Sequence, residues 1–311
     1  MNPDSGKKDA LSGEVCPDVS IVIVTYHSAD VIESCLDSIG AGGNVSREVF
    51  VVDNASGDGT AEIVRAKYPS VHLTANDSNR GFSAANNQAI PLCRGRYLFF
   101  LNPDAELTGG CLEAAVRYMD ENPRIGLAGT KVVYPDGAIQ ETISRRYPGE
   151  KHTKGELEGL QGHIACVLGA SMIARSELIR AIGGFDEDYF LYGEDQELCL
   201  RIRQQGFEIG YICDAVVRHI GGHSERASSS ADRWRRKTLA EYIFYRKHYK
   251  PETIRRISRE DRLKAWWRAL TIPLTLPVLR DGEAARDKLV KYRTILETLD
   301  EIERPVRQGG A

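Results

Sequence analysis

A run of seven residues from Val19 to Thr25 constrains the fold more than any other feature, because every residue in it except Ser20 is β-branched. Such a run predicts a strand buried on both faces, as in the parallel sheets of α/β proteins. The segments that follow predict a helix at Asp30–Ile39 and a second buried strand at Glu48–Val52, which ends at Asp53. Strand, helix and strand in this order predict a right-handed crossover and therefore a parallel sheet.

The same alternation of strands and helices continues to residue 133. It predicts an α/β fold with a doubly wound, mostly parallel sheet, which binds ligands at the carboxyl ends of its strands. The polar residues at those ends are the candidates for a functional site: Thr25, Tyr26, Asp53 and Asn102 to Asp104. The further predicted helices are Thr60–Lys67, Ser83–Leu92 and Leu107–Glu121, and the further predicted strands are Val71–Thr74, Tyr97–Leu101 and Ile125–Val133.

The pattern changes after residue 134. Pro135–Gly137 predicts a hairpin turn, and the polar stretch 141–163 is typical of a mobile loop. We expect a flexible tail at 1–18, an α/β domain at 19–225 and a helical region at 226–311. The later predicted elements are an ordered segment at Val167–Ala174, helices at Ser176–Ile182, Glu194–Gln205, Arg233–His248, Glu252–Ala269 and Glu283–Ile302, and strands at Glu208–Ile212 and Val216–Arg218.

Charge is distributed unevenly along the 311 residues, although 41 Lys and Arg nearly balance 44 Asp and Glu. Residues 226–268 hold 14 of the basic side chains and 5 of the acidic ones. These basic residues lie among Trp and Tyr side chains, a mixture that suits nucleic acid and suits an anionic membrane surface at least as well. We expect no nucleic-acid partner and a peripheral membrane contact through 226–280, with a dimer interface or a lid over the site as the alternative.

The sequence predicts a cytoplasmic protein. Where residues 226–280 contact a membrane, we expect that contact at its inner face. Residues 1–18 lack the apolar core of a secretion signal, and the longest apolar stretch, Trp266–Leu279, is interrupted by Arg268, Pro273 and Pro277. The seven cysteines are widely spaced and form no C-x-x-C pair. Reduced, mostly buried thiols are therefore expected.

Asp53 is followed by Gly57, Gly59 and Thr60, which allow a tight turn into a helix. A carboxylate at this position can accept a hydrogen bond from the imide of a pyrimidine ring or from a ribose hydroxyl. The alternative is a turn whose Asp, Asn and Gly residues serve the backbone alone.

Asn102-Pro-Asp104 follows the strongly apolar strand at Tyr97–Leu101. Acidic and amide oxygens in a short segment provide the hard ligands that Mg²⁺ or Mn²⁺ shares with a diphosphate. A capped helix start is the alternative, since acidic residues are favoured near helix N-termini.

Glu194 and Asp195 begin an amphipathic helical pattern. One carboxylate can act as a general base toward a sugar hydroxyl, whereas the other can cap the helix or pair with Arg201 or Arg203. His219, at the end of a predicted strand, can complete the coordination of a metal at Asp104. A structural hydrogen bond is the alternative for this histidine.

Seven stretches in this order resemble the inverting nucleotide-sugar glycosyltransferases of family two, and within them the rhamnosyltransferase-like branch. They span residues 19 to about 225, and although each motif is weak alone, seven in register make coincidence implausible. The stretches are Val22–Tyr26, Val51–Ser56, Asn79–Asn87, Phe100–Asp104, Gly183–Asp186, Phe190–Asp195 and His219–Gly222.

The resemblance implies a GT-A fold with a C-terminal helical extension, and it implies Mg²⁺ or Mn²⁺ as cofactor. It assigns Asp104 and His219 to the metal and Asp195 to deprotonation of the acceptor. The usual Asp-x-Asp triplet appears here with Asn102 in place of the first carboxylate, which makes the ligand set of the metal less certain. The residues expected to contact the nucleotide sugar are Thr25, Tyr26, Asp53, Asn79, Arg80, Asn102 and Asp104, with Glu194 and Gly169 supporting the acceptor.

The expected reaction moves a sugar, with rhamnose as the guess from the family branch, from a dTDP-, UDP- or GDP-linked donor to a saccharide or polyprenyl-linked acceptor in polysaccharide assembly. Two other readings stay open. A nucleotidyltransferase would be expected to carry a Gly-rich, basic signature soon after its first strand, where this chain has Thr25 to Asp30. A non-catalytic nucleotide-sugar-binding module would need Asp53 but not Asp195.

Overall fold

The computed structural model describes residues 16–40, 43–221, 228–275 and 282–304. Most of the predicted tail at 1–18 and the predicted boundary between 225 and 226 lie outside these residues. Within them, ten strands and nine α-helices are found. The strands are β1 (Val19–Thr25), β2 (Arg47–Asp53), β3 (His72–Ala75), β4 (Tyr97–Leu101), β5 (Ala105–Leu107), β6 (Ile125–Val133), β7 (Ile143–Ser144), β8 (Cys166–Val167), β9 (Ser171–Arg175) and β10 (Glu208–His219).

The helices alternate with the strands through the first half of the chain and then dominate its end. A single 3₁₀ turn at Glu150–His152 and the short pair β7–β8 are the only regular structure described between β6 and β9. The α-helices are α1 (Ile32–Gly40), α2 (Thr60–Lys67), α3 (Phe82–Ala89), α4 (Cys111–Glu121), α5 (Ser176–Ala181), α6 (Glu194–Gln204), α7 (Ser230–His248), α8 (Pro251–Thr275) and α9 (Gly282–Glu303).

Eight strands form one sheet in the order β3-β2-β1-β4-β9-β6-β10-β5. Strand β1 pairs in parallel with β2 and β4, and β10 pairs in parallel with β6. Strand β9 lies antiparallel between β4 and β6, and β5 lies antiparallel on β10. Because β9 is antiparallel to both of its neighbours, β4 and β6 run in the same direction. The strands β1, β2, β4, β6 and β10 therefore all place their carboxyl ends at one edge of the sheet.

Apart from shifts of up to three residues at the ends of elements, the predicted elements differ from the structure at four places. The segment predicted to be ordered at Val167–Ala174 divides into β8 and β9, and the two strands predicted from 208 to 218 form one strand with a bulge between Ile212 and Val216. The helix predicted from Leu107 begins only at Cys111, because β5 pairs with β10 first. Helix α8 continues past Ala269 to Thr275 and includes Pro273, which lacks the N–H that would bond to the Ala269 carbonyl.

The sheet separates two apolar layers, which explains the continuous apolar strands. Alternate side chains of β1 pack on opposite faces, with Val22 and Val24 in one layer and Ile21 and Ile23 in the other. Helices α3, α6 and α7 cover the first layer, while α1 and α4 cover the second. Both faces of β1 are therefore dry, as its composition predicts.

Helix α7 joins the C-terminal helices to the α/β core. Tyr242, Phe244 and Tyr245 are buried in the same layer as Val22, and the Phe244 ring stacks at 5.7 Å on Tyr147. Among the helices described, none is long and apolar enough to cross a membrane.

Candidate active site

The carboxyl ends of β1 and β2 place Thr25 beside Asp53, which are direct neighbours in the parallel register. The Thr25 hydroxyl donates a hydrogen bond of 2.7 Å to Asp53 Oδ1, and the Ser56 N–H donates one of 3.1 Å to Oδ2. Asp53 is buried, whereas Tyr26, one residue beyond the strand, is exposed. The carboxylate is thus held rigidly at the edge of the sheet, and an open surface begins next to it.

Asn54 is a residue that the sequence analysis quoted without giving it a role. Its amide nitrogen donates to the Gly81 carbonyl (3.1 Å), and its amide oxygen accepts from Asn76 Nδ2 (2.9 Å) and from the Arg80 N–H (3.4 Å). Asn79 Oδ1 in turn accepts from the Gly81 N–H (2.9 Å). The buried Asn54 amide therefore fixes the loop that presents Arg80 beside the end of β2.

The antiparallel pair β5–β10 brings the Asn102-Pro-Asp104 segment to His219. Ala105 and His219 are register partners, so the residue before β5 meets the last residue of β10. His219 Nε2 lies 3.2 Å from Asp104 Oδ1 and 3.5 Å from Asn102 Nδ2. Asp104 and His219 are both buried. Two of the residues assigned to a metal by resemblance are therefore direct neighbours, although they are far apart in the sequence.

Gln140, which the sequence analysis missed, orients the His219 ring. Its amide nitrogen donates to the His219 carbonyl (2.7 Å), so its amide oxygen faces His219 Nδ1 at 3.0 Å. An amide oxygen accepts only, which requires the proton on Nδ1 and leaves the Nε2 lone pair toward Asp104 in the neutral ring. The signal that could have identified Gln140 is weak, since it lies in a polar segment after a hairpin.

The Asp104–His219 pair fits a divalent cation that is shared with a substrate. Carboxylate oxygen and imidazole nitrogen both bind Mn²⁺, and a partner on Nδ1 is the usual arrangement for a histidine ligand. Among the described residues, no group of three or more His, Cys, Asp and Glu side chains is placed to hold a metal. The remaining ligands would therefore come from the substrate phosphates and water.

Asp195 reaches the same edge of the sheet from the first turn of α6. Its Oδ2 accepts the Gly169 N–H (3.1 Å) and its Oδ1 accepts the Gln196 N–H (2.8 Å). The residue after Gly169, Ala170, accepts the Asn102 N–H (3.0 Å), so a two-residue link joins Asp195 to the end of β4. Burial raises the pKa of Asp195, which strengthens it as a base.

Glu194 differs from its neighbour although both begin α6. It is buried, and its Oε2 has no hydrogen-bond partner among the described residues. Burial and then the charge of Asp195 raise the pKa of Glu194 to about 8. The alternative that one of these carboxylates pairs with Arg201 or Arg203 is wrong, because Arg201 Nε donates to both Glu197 oxygens at 2.8 Å and Arg203 Nε donates to the Gln161 carbonyl at 3.0 Å.

Strained backbone is concentrated in the loops around this edge. The non-glycine residues with positive φ in the described chain are His27 (52°), Ala55 (59°) and Tyr192 (74°). They lie respectively after Tyr26, after Asn54 and before the Gly193 that precedes α6. Such conformations cost about 1 kcal/mol or more each and cluster at functional sites, so the loops are consistent with one shared site.

The chain is similar in sequence to known proteins over most of its length. The family model described as Glycosyl transferase family 2 matches residues 20–183. The N-acetylglucosaminyl-diphospho-decaprenol L-rhamnosyltransferase of Mycobacterium tuberculosis is 26% identical over 280 residues, which cover 80% of this chain and 86% of that protein. The rhamnosyltransferase WbbL of Escherichia coli is 26% identical over 249 residues, 72% of this chain and 92% of the relative.

A solved structure shows the same fold. The mannosyltransferase PcManGT from Pyrobaculum calidifontis, in complex with GDP-Man and Mn²⁺, superposes with a TM-score of 0.61 at 18% identity, covering 92% of this chain and 86% of that one. The GT-A fold with C-terminal helices, expected from the resemblance, is confirmed. With a family model over more than half of its length, a matching fold and rhamnosyltransferase relatives, the chain belongs to glycosyl transferase family 2 and is a glycosyltransferase of glycan assembly.

Proposed function

We propose that this glycosyltransferase inverts the anomeric carbon of a nucleotide-diphosphate sugar in one displacement, with Asp195 as the general base. The observation that carries the proposal is the shared sheet edge. Asp195 is tied through Gly169 and Ala170 to Asn102, two residues before Asp104, which contacts His219. A base and a cation-binding pair on one edge are what such a displacement requires.

The reaction needs two groups at opposite ends of its axis. The acceptor hydroxyl loses its proton as its oxygen attacks the anomeric carbon, and Asp195 accepts that proton. Negative charge grows on the departing diphosphate at the other end. A glycoside hydrolase would instead place a second carboxylic acid at the leaving group.

Asp104 and His219 would hold the divalent cation, Mg²⁺ or Mn²⁺. When bound, the cation neutralises charge on the diphosphate without supplying a proton. Asn102 replaces a carboxylate of the usual triplet, so one negative charge fewer faces the phosphates. Gln140 keeps the His219 Nε2 lone pair directed at Asp104.

The nucleotide would bind along Asp53, with Thr25 and Tyr26 on one side and the loop at Asn79 and Arg80 on the other. Asp53 Oδ1 accepts from the hydroxyls of Thr25 and Ser56, whereas Oδ2 accepts the Ser56 N–H and retains a lone-pair direction. A pyrimidine imide or a ribose hydroxyl would complete it. We infer a dTDP-, UDP- or GDP-linked donor, and we choose rhamnose as the sugar because two relatives are named as rhamnosyltransferases.

The proposed acceptor is a saccharide, carried on a polyprenyl diphosphate. The mycobacterial relative is named for a decaprenol-linked acceptor, and this chain covers 86% of that protein. Gly169 and Glu194 flank Asp195, where the acceptor hydroxyl would approach. We place the reaction at the cytoplasmic face of a membrane, with contact through 226–280, since all seven cysteines are free thiols.

A thermal-shift panel of dTDP-, UDP- and GDP-sugars with and without Mn²⁺ identifies the donor, because a ligand that binds only the folded state raises the melting temperature. Turnover of the best donor is then measured for wild type, Asp195→Asn and the control Asp136→Asn, which alters an exposed hairpin carboxylate. We expect Asp195→Asn to lose about 10²–10⁴-fold in turnover with unchanged donor binding. Near-normal turnover would refute the base, and donor binding by a wild type that transfers no sugar to any acceptor would favour a binding module.

A further inference from the structure

The outer face of α8 carries an apolar stripe. Five large apolar side chains with more than half of their surface exposed recur at spacings of three, one, three and four residues: Leu263, Trp266, Trp267, Leu270 and Leu274. These spacings place them on one side of a helix, over a length of about 16 Å. The chain has three tryptophans, and two of them are in this stripe.

The opposite face of α8 explains why the stripe is turned outward. Ile257, Ala265 and Ile272 are buried beneath the helix. Their angular positions lie about half a turn away from the stripe at 100° per residue. The helix is therefore apolar on two faces in its C-terminal half, and only one of them is used by the fold.

The charged side chains within the stripe are all basic, and the exposed Glu260 before it is paired with Lys151 and His152. Between residues 263 and 274 the charged side chains are Lys264 and Arg268, both exposed, and no acidic residue occurs. One and two turns before the stripe, the same outer face carries the exposed Arg256 and Arg259. Two copies of this face packed around a two-fold axis would bring Lys264 and Arg268 near their own copies, which disfavours a second chain as the occupant.

We propose that the outer face of α8, from Arg256 to Leu274, docks on the surface of a bilayer that contains anionic lipid. Tryptophan and leucine enter the interface between headgroups and acyl chains, while arginine and lysine remain among the headgroup phosphates. The proposal deepens the lipid-linked acceptor proposed above by naming the contacting surface. Binding to lipid does not itself require the sugar-transfer reaction.

The orientation of α8 relates this surface to the candidate active site. Helices α7 and α8 run antiparallel, since they are joined at residues 249–250 and Tyr242 Oη donates to Asp261 Oδ2 (3.3 Å). Five residues before Tyr242 in α7, Lys237 Nζ lies 4.7 Å from the centre of the Tyr192 ring, in the loop before α6. The stripe therefore extends toward the end of the helical region that contacts the Asp195 loop.

Tryptophan emission and vesicle flotation with the full-length protein test the proposal. Vesicles of phosphatidylcholine alone are compared with vesicles that contain about one third phosphatidylglycerol. We expect flotation with the anionic vesicles, a blue shift of the emission, and quenching by brominated acyl chains. Trp234→Phe, which removes the tryptophan outside the stripe, should keep all three signals.

The double variant Trp266→Ser with Trp267→Ser should lose at least tenfold in vesicle partition. Arg256→Gln with Arg259→Gln should lose a similar amount for the anionic vesicles only. Leu92→Ser, which changes an exposed leucine in the turn after α3, is the matched control and should bind as wild type does.

Wild type that stays with the buffer fraction, or stripe variants that float as well as wild type, would overturn the proposal. A dimer in light scattering that the stripe variants dissociate would assign the face to a second copy instead. Turnover on a water-soluble acceptor is measured in parallel, so a wild-type protein that transfers sugar but does not bind vesicles refutes the docking surface alone.

Discussion

The substitution Glu194→Gln separates the roles of the two carboxylates at the start of α6. Glu194 is buried, lacks a partner on Oε2 and has its pKa raised to about 8 from an ordinary value of 4.5, by burial first and by Asp195 second. At pH 7 the group is therefore protonated in the folded protein and ionised in the unfolded chain. Each pH unit above the ordinary value costs the folded state about 1.4 kcal/mol until the raised value is reached.

The cost to the folded state at pH 7 is then about 3 kcal/mol. Glutamine avoids this cost because it does not ionise, although its buried amide forfeits about 1–2 kcal/mol in hydrogen bonds. The variant should be more stable by about 1–2 kcal/mol at pH 7, or roughly 2–3 °C in melting temperature for a chain of this length. Near pH 4, where the wild-type carboxyl is largely protonated in both states, only the amide cost remains, so the variant should be less stable than wild type by about 1–2 kcal/mol. Its advantage should reach its maximum above pH 8.

Thermal and urea unfolding of both proteins from pH 4 to pH 9, in buffer that contains a metal chelator, measures this difference. Turnover should fall less than tenfold, because Asp195 remains to accept the proton. A stability difference that does not change with pH would refute the buried, protonated Glu194. Loss of turnover comparable to that of Asp195→Asn would refute the division of roles.

Substitutions of Asp104, Gln140 and Gly81 test other parts of the structure. Asp104→Ala should abolish Mn²⁺-dependent donor binding in calorimetry, and unchanged affinity would remove the metal role. Gln140→Leu should weaken Mn²⁺ binding by about 10–100-fold and should change the ¹⁵N tautomer signature of His219. Gln140→Glu should keep the proton on Nδ1. Identical spectra for wild type and both variants would contradict the orienting role. Gly81→Ala should destabilise the fold by about 2–3 kcal/mol in thermal unfolding, because its φ is +83° and a Cβ would lie 2.7 Å from the Phe190 carbonyl oxygen. The control Gly57→Ala, with φ +67° and open space around the Cβ, should cost only about 1 kcal/mol. Equal losses would show that the contact with Phe190 is unimportant.

The parallel part of the fold could be predicted from local patterns. Strands β1, β4 and β6 and helix α2 have the predicted bounds, because burial on both faces or a clear helical period fixes each of them without distant partners. The antiparallel insertion of β9 and the strand β5 could not be predicted. The sequences of these short apolar segments do not indicate which strands they pair with. Their structure is decided by pairing with residues far away in the sequence.

The candidate site shows the same division. Asp53, Asp104, Asp195 and His219 could be singled out because each lies at or just after the end of a strand, or at the start of a helix. Asp104 contacts His219 because of the β5–β10 register. The sequence of neither strand predicts this register. Gln140 and Asn54 act through other residues, and amides that orient a neighbour have no local pattern. Their roles are visible only in the hydrogen bonds.

The position of β9 has a consequence for how the chain folds during synthesis. Strands β1 to β4 can associate as soon as residue 101 has left the ribosome, but β6 has no place beside them until residues 171–175 arrive. The apolar strand β6 therefore lacks its neighbour β9 while some forty residues are translated. Premature pairing of β6 with the open side of β4 is the misfolding route that this order of strands creates, and a pause in translation between 133 and 171 would aggravate it.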